Sequence, residues 1–307
     1  MLILLAPALI AVLFILSILF FIRHSLIAGA FFLFLSVALN CYTETFPFHF
    51  SYLTNDAQQK EDNDQISILT YNIKYKSDYL RHNSDSLSSL LSFFKLQNAD
   101  ILVLPESRLN STNKRLLALL DELYPYNMNA GFKGNDFYLE TYVFSHFPIS
   151  DVKQYGKHYI YEMNIHISED KCIKLIACHL VSNQSHSSLS NGEGLLSNLR
   201  NGYEMRATEV RLLSDSLRNY LGPTIITGDM NDISGSYTLK HLQKTLNLYD
   251  AWWKAGFGYG TTSYSKHLYF RLDHILYSKH FEISTVEVPH VSFSDHYPVR
   301  TTLTLPQ

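Results

Sequence analysis

From Leu2 to Ile22 the chain carries no charged side chain and no strong helix breaker except Pro7. A helix that is apolar on every face suits lipid better than the core of a small domain. At ~20 residues this one is long enough to cross a bilayer. Arg23 and His24 interrupt the run, and Ser25 to Leu39 resume it. The second stretch is shorter, and spans only with bilayer thinning, a tilted neighbour or an extension to Tyr42. A cleavable signal peptide would have a basic n-region and a shorter apolar core, whereas here apolarity begins at residue 2. A buried core hairpin is the remaining alternative. The residues favour an integral membrane anchor over 1–41, made of two spans or of one span plus a re-entrant or interfacial helix. Its only basic cluster is Arg23-His24, at the turn, while the exit carries Glu44, Asp56, Glu61, Asp62 and Asp64. Positive-inside logic places the turn in the cytoplasm and the rest of the chain on the extracytoplasmic side.

Residues 42–64 mix aromatic and polar side chains, end in Asp-Ala-Gln-Gln-Lys-Glu-Asp-Asn-Asp, and are expected to be a linker. From residue 65 to 307 short apolar runs alternate with helical spacing. Strands are expected at Ile66–Ile73, Ile101–Leu104, Tyr138–Phe144, Tyr159–Ile167, Lys174–His179, Thr224–Thr227, Leu272–Tyr277 and Thr301–Leu305. Helices are expected at Ser84–Gln97, Thr112–Leu123, Met205–Tyr220 and Thr238–Thr245. Residues 183–202, rich in Ser, Asn and Gly, are expected to be a long loop overhanging the site. Interleaved strands and helices of this kind imply a layered α/β domain. Cys172 and Cys178 lie on one extended stretch, Lys171 to Leu180, that contains the Lys174–His179 strand. Six residues hold them roughly 20 Å apart, and they cannot bridge each other. Cys41 sits at the membrane edge, so no disulfide framework forms.

Polar chemistry collects where these strands end. Asn72 follows Ile68-Leu-Thr-Tyr, and Glu106 follows Ile101-Leu-Val-Leu-Pro. His179 ends Leu175-Ile-Ala-Cys, while Asp229 and Asn231 follow Ile225-Ile-Thr-Gly. Asp273-His274 opens a strand, and Asp295-His296 precedes Tyr297-Pro298-Val299. Singly, each is more often a turn former, a helix cap or a satisfied core residue. Jointly, they form a candidate active site, because loops after strands are where reacting groups gather. Oxygen donors such as Asn72, Glu106 and Asp295 suit a hard cation, Mg²⁺ or Mn²⁺. No HExxH or cysteine cluster suggests zinc.

In order, Tyr-Asn-Ile (71–73), Pro-Glu-Ser (105–107), Cys-His-Leu (178–180), Gly-Asp-Met-Asn (228–231), Arg-Leu-Asp-His-Ile-Leu (271–276) and Ser-Asp-His-Tyr-Pro-Val (294–299) resemble the endonuclease/exonuclease/phosphatase superfamily, the deoxyribonuclease I-like proteins. Two smaller stretches agree, Phe144-Ser-His-Phe-Pro-Ile149 and Asp250-Ala-Trp. The resemblance covers 66–305 and implies a four-layer αββα sandwich behind N-terminal transmembrane helices. It further implies that Asn72, Glu106 and Asp295 hold the metal, and that Asp229 orients and deprotonates the attacking water. Asn231 would donate to phosphoryl oxygens, His179 would bind the scissile phosphate, and His296 would join it with its ring oriented by Asp273. The sequence departs from many relatives at Pro105, where they have Gln, and at His274, where they often have Tyr.

The activity this implies is divalent-metal-dependent hydrolysis of a phosphate ester, by a phosphodiesterase or phosphatase held beside a lipid bilayer through residues 1–41. A membrane-tethered nuclease is the first alternative. A net charge of −3 and the lack of a basic stripe do not favour nucleic acid as partner. Arg200, Arg206 and Arg211 read as a solvated helix face ahead of a phosphate-binding one. A catalytically silent binding module on the same fold is the second alternative.

Overall fold

The computed structural model describes residues 2–50, 65–74, 84–109, 113–131, 140–155, 159–182, 195–265 and 268–306. Most of the expected linker, the first part of the expected 183–202 loop and residues 138–139 of one expected strand lie outside the described residues. The N-terminal run forms a helical hairpin, α1 (Ala6–Ile22) and α2 (Leu26–Thr43), turning at Arg23-His24. Small and hydroxyl side chains line the seam between them. The Ser17 hydroxyl donates to Gly29 O at 2.9 Å and Ser36 to Ile10 O at 3.1 Å, bonds that let apolar helices pack closely without water. Large apolar side chains point away, with Ile27 89 % and Phe34 69 % exposed, so this is not the core hairpin that the sequence left open. The helical runs Ile3–Ile22, α1 with the turn before it, and Leu26–Thr43 are long and apolar enough to cross a membrane.

The remainder is built on two six-stranded sheets. In the first, β1 (Gln65–Thr70) lies between β14 (Val299–Thr304) and β2 (Ile101–Leu104); β13 (Glu282–Glu287) flanks β14, and β4 (Tyr142–Ser145) and β3 (Tyr126–Asn127) follow β2. In the second the order is β5 (Ile149–Tyr155), β6 (Tyr159–His166), β7 (Cys172–His179), β8 (Thr224–Asp229), β12 (Asp273–Ser278) and β9 (Leu248–Asp250). Helices α3 (Ser84–Gln97) and α4 (Lys114–Leu123) cover the first sheet. Helices α5 (Leu195–Leu217) and α6 (Tyr237–Leu246) cover the second.

Strand alternation builds the layers. Ile173, Leu175 and Ala177 of β7, Ile225 of β8 and Ile275 of β12 join the core shared with the first sheet. Ile176, Cys178, Ile226 and Leu276, on the opposite faces of the same strands, pack with Val210 and Leu213 of α5 and Leu239 and Leu242 of α6. Helix, sheet, sheet, helix is the expected four-layer arrangement. One expectation needs correction, and several short or edge elements lie outside the expected ones. The 195–202 part of the expected loop is the first turns of α5, which its polar Ser/Asn/Gly composition disguised. A short helix α7 (Ala251–Ala255) and the hairpin β10 (Ser263–Ser265)–β11 (Leu268–Phe270) carry too few residues to show a period. The Ile149–Tyr155 and Glu282–Glu287 strands give no clear sequence signal either, because each sits at a sheet edge and alternates only partly.

Candidate active site

Register decides which side chains meet. β7 and β8 are parallel neighbours with His179 opposite Asp229, and β12 runs antiparallel on the other side with Asp273 opposite Asp229. Three chemistry-bearing residues thus stand in a row across adjacent strands, with ~4.8 Å between strands. Gly228 makes this possible. Its φ is +133°, and a side chain there would start in collision with the Cys178 carbonyl oxygen, which gives the Gly-Asp pair a physical reason. In the first sheet, β1 and β2 are parallel and end at the same height, so Asn72 and Glu106 leave side by side.

The two sheets close on one another through these groups. Asn72, 1 % exposed, donates from Nδ2 to Asp229 Oδ2 at 2.9 Å and to Glu106 Oε2 at 3.2 Å. Its Oδ1 accepts from the Lys74 amide at 3.0 Å. Asp229 Oδ1 accepts from the Asn231 amide at 2.8 Å. The Asn231 side chain donates to Leu180 O at 2.8 Å, which leaves one of its two amide N–H groups for another acceptor. Glu106 and Asn231 both hold left-handed backbone, φ 51° and 49°, unusual for residues other than glycine and common at reacting sites.

On the other side of Asp229 stands His296. Its Nε2 lies 3.9 Å from Asp229 Oδ2, and its Nδ1 is 2.8 Å from Asp273 Oδ2. One carboxylate oxygen each of Asp229 and Asp273 and a ring nitrogen of His296 lie within 4.8 Å of one another. Burial alone would lower the imidazole, but the charges of Asp273 and Asp229 and the Asp273 hydrogen bond outweigh it and raise it to about 10. Burial raises the Asp273 carboxyl while His296 pulls against it. The pair is best described as an imidazolium held between carboxylates. Asp273 is seated by the Thr262 hydroxyl, which accepts from the amides of Leu272 and Asp273 at 3.0 Å each.

His179 and Asp295 stand at the edges of this cluster. His179 Nδ1 is 3.7 Å from Glu140 Oε2, and Glu140 also pairs with Arg108. Asp295 pairs with Lys74 through Oδ2. Neither Lys74 nor Glu140 stood out in the sequence. Lys74 lies two residues beyond Asn72 in the same motif, and Glu140 is a lone charge entering an apolar strand; both signals were present but weak. Arg206 is a correction. It is 0 % exposed, not solvated, donating to Val181 O at 2.8 Å and lying 3.4 Å from Asp232. Glu209, one turn on, accepts from the Val181 amide at 3.1 Å. α5 therefore clasps the chain just after His179 and just after Asn231. Arg200 is exposed and pairs with Glu204, as a solvated face would. His274, where relatives often carry Tyr, is buried against Asp250 at 3.1 Å.

Among the described residues the donors gathered within 4.8 Å are those of Asp229, Asp273 and His296, while Glu106 reaches this group through Asn72 and Asp295 is paired with Lys74. Carboxylates of this kind suit a hard cation. Asn72 presents nitrogen, not oxygen, to Glu106 and Asp229. For Asn72 to serve as an oxygen ligand its amide turns over, which exchanges its hydrogen bonds to Glu106 and Asp229 for metal ligation and gives up the bond that Oδ1 accepts from the Lys74 amide. The acidic and imidazole cluster of Asp229, Asp273 and His296 is of a kind that can hold a divalent ion.

The Endonuclease/Exonuclease/phosphatase family profile matches residues 69–296. A sequence comparison with curated proteins gives no match. Among solved structures, the endonuclease/exonuclease/phosphatase from Bacteroides vulgatus is 17 % identical with a TM-score of 0.58, covering 79 % of this chain and 99 % of that one. Sphingomyelinase C from Streptomyces griseocarneus is 16 % identical with a TM-score of 0.54, covering 78 % and 99 %. Staphylococcus aureus beta toxin, with bound magnesium ions, is 17 % identical with a TM-score of 0.53, covering 77 % and 99 %. At these identities the likeness is one of fold. The matched profile, running from the strand before Asn72 to His296, spans most of the chain, and the protein belongs to the Endonuclease/Exonuclease/phosphatase family.

Proposed function

We propose that residues 65–307 hydrolyse a phosphate ester with the help of Mg²⁺ or Mn²⁺, on a lipid or other membrane-adjacent substrate. The observation that carries this reading is the convergence on Asp229, which faces Asn72 of one sheet at 2.9 Å and His296, backed by Asp273, at 3.9 Å. A carboxylate between an amide donor and an imidazolium can hold a water, take its proton and keep that proton's charge balanced. Glu106, Asn72 and Asp295 would hold the cation, which when bound supplies Lewis acidity to a phosphoryl oxygen.

The chain's own groups then have distinct tasks. Asp229 accepts a proton from the water as its oxygen bonds to phosphorus, and the P–O bond to the leaving group breaks on the opposite side. The His296 imidazolium, fixed in tautomer and direction by Asp273, donates a hydrogen bond to an equatorial oxygen as charge accumulates there. The free N–H of Asn231 and the His179 ring supply further donors. The leaving oxygen takes its proton from solvent.

The test is a Mg²⁺-dependent screen of purified full-length protein against phospholipids, sphingomyelin, phosphoinositides, DNA and RNA, with His179→Ala alongside. We expect turnover of a phosphate ester that chelation abolishes and that His179→Ala lowers by ~100-fold. Salt-sensitive cleavage of DNA or RNA alone would transfer the reading to the nuclease alternative. No turnover of any class would remove the proposal.

Residues 1–41 are proposed as the anchor, with the catalytic domain on the extracytoplasmic side. The hairpin's outward apolar faces support insertion. Alkaline carbonate washing of membranes is expected to leave the protein in the pellet. Its release intact would contradict integral insertion.

A further inference from the structure

The end of α2 is gripped by the catalytic domain. Asn40 caps the exit in both directions: its Nδ2 donates to Phe46 O at 2.9 Å and its Oδ1 accepts from the Phe46 amide at 2.8 Å. Thr43 and Thr45, 0 % and 2 % exposed, share a hydroxyl hydrogen bond of 2.6 Å. Glu44 takes a left-handed turn, φ 52°, and reaches α6, where it meets Lys240 at 2.7 Å and accepts from Gln243 at 2.9 Å. Pro47 O accepts from the Gly258 amide at 2.8 Å, and the His49 ring lies 3.0 Å from Trp253 O. Phe46 packs on Tyr259 and Phe48 on Phe257, with ring centroids 5.6 and 5.9 Å apart.

The loops so gripped carry the candidate site. Gly235 lies four residues after Asn231, on the loop leaving β8, and is pressed against Thr43. A methyl added at Gly235 would fall 2.8 Å from Thr43 Cα. The 256–260 loop leads straight to Thr262, whose hydroxyl seats Asp273 and whose carbonyl accepts from the Tyr297 amide at 2.6 Å. The hairpin is therefore joined to the loops that follow β8 and precede β12, at the sheet end that carries Asp229 and Asp273. A flexible tether would show none of these contacts.

We infer that residues 40–50 form a rigid collar that docks the catalytic mouth against the very bilayer holding the hairpin, and that the substrate is a phosphate ester in the headgroup layer of that membrane. The inference rests on the phosphoesterase reading above for its chemistry, and on the collar alone for its geometry. A collar fixes height and angle, so a headgroup phosphate meets the site without the orientational search that a tethered domain must repeat at each encounter. Soluble phosphate esters gain nothing from it, since they arrive from every direction.

The experiment breaks the coupling without touching the site. The full chain is placed in vesicles of phosphatidylcholine, phosphatidylglycerol and sphingomyelin carrying a dansyl-headgroup lipid. It is compared with a variant bearing a flexible Gly/Ser insertion of about ten residues between Tyr42 and Thr43. Trp252 and Trp253 are the chain's two tryptophans and lie in α7 beside the collar, so energy transfer to dansyl reads docking without any turnover. We expect the insertion to cut transfer by about half or more and lipid turnover by about tenfold, with Mg²⁺-dependent hydrolysis of bis(p-nitrophenyl) phosphate within about twofold of the parent. As a second variant, Glu44→Lys is expected to shift transfer and lipid turnover the same way, and Lys240→Glu added to it to restore both. Unchanged transfer and unchanged lipid turnover in the insertion variant would overturn the collar while leaving the phosphoesterase reading intact. A parent that docks, with transfer lost on insertion, yet hydrolyses neither ester would remove the chemistry and the lipid substrate while leaving the docked geometry. A parent with no transfer at all would remove the collar outright.

Discussion

Asp229→Asn is expected to lower kcat for Mg²⁺-dependent phosphate-ester hydrolysis by about 10²–10⁴-fold, the usual loss when a positioned general base is removed. The substitution preserves shape. A carboxamide oxygen can still accept from the Asn231 amide, now 2.8 Å from Asp229 Oδ1, so the turn after β8 keeps its hydrogen bond. What disappears is the basic oxygen shared by Asn72 and facing His296. KM should move much less than kcat, because Asp229 is assigned to the water and not to the ester. Circular dichroism and thermal melting should confirm an intact fold, and Asp215→Asn on the exposed face of α5 should leave turnover unchanged. Equal turnover by Asp229→Asn and the parent would remove Asp229 from the role of base, and no turnover by either on every ester tested would point to the silent binding module.

How much of this site could be read without coordinates follows from how local each signal is. Asn72, Glu106, Asp229 and Asp273 each close or open a short apolar strand, so alternation and the break in it mark them within a few residues. The pairing of His179 with Asp229 and of Asp229 with Asp273 is a matter of register between strands distant in sequence, which no local pattern carries. The resemblance supplied that order. Lys74 and Glu140 carry only a weak signal of their own, because a single charge near a strand end is ordinary; what sets them apart is the partner each meets, Asp295 or His179. Arg206 is deceptive for the opposite reason. Its neighbours on α5, Arg200 and Glu204, are exposed, and helical spacing alone does not tell an arginine that faces solvent from one buried under Val181 O. The collar was illegible because residues 42–50 have neither period nor motif; their role lies in contacts with Gly235, Lys240 and Gly258.

Arg271→Met is expected to destabilise the catalytic domain by ~3–5 kcal/mol, the usual cost of stranding one member of a buried ion pair. The Arg271 Nη1 lies 3.0 Å from both oxygens of Asp250, both side chains are all but inaccessible, and a second guanidinium nitrogen donates to Ser234. Asp250 also accepts from the Trp253 amide at 3.2 Å, capping α7, so losing its counter-charge loosens the helix that the collar grips. A loss of this size corresponds to a melting temperature lower by about 10 °C in a domain of 150–250 residues. The pH dependence has a definite sign. Burial alone would raise the Asp250 carboxyl, but Arg271 and His274 hold it below the usual carboxylate range. Stabilisation by a lowered carboxylate is fully present above the unfolded value of ~3.9 and is lost as pH falls through the folded one. The gap between parent and Arg271→Met should thus be widest at neutral pH and should narrow as acid below about pH 4 takes the same stabilisation from the parent. Adding Asp250→Asn, which keeps the cap and removes the stranded charge, should recover part of the loss. A gap that stays constant from pH 7 to pH 3, or a double variant no more stable than Arg271→Met alone, would show that the arginine stabilises by packing and not as the counter-charge to Asp250.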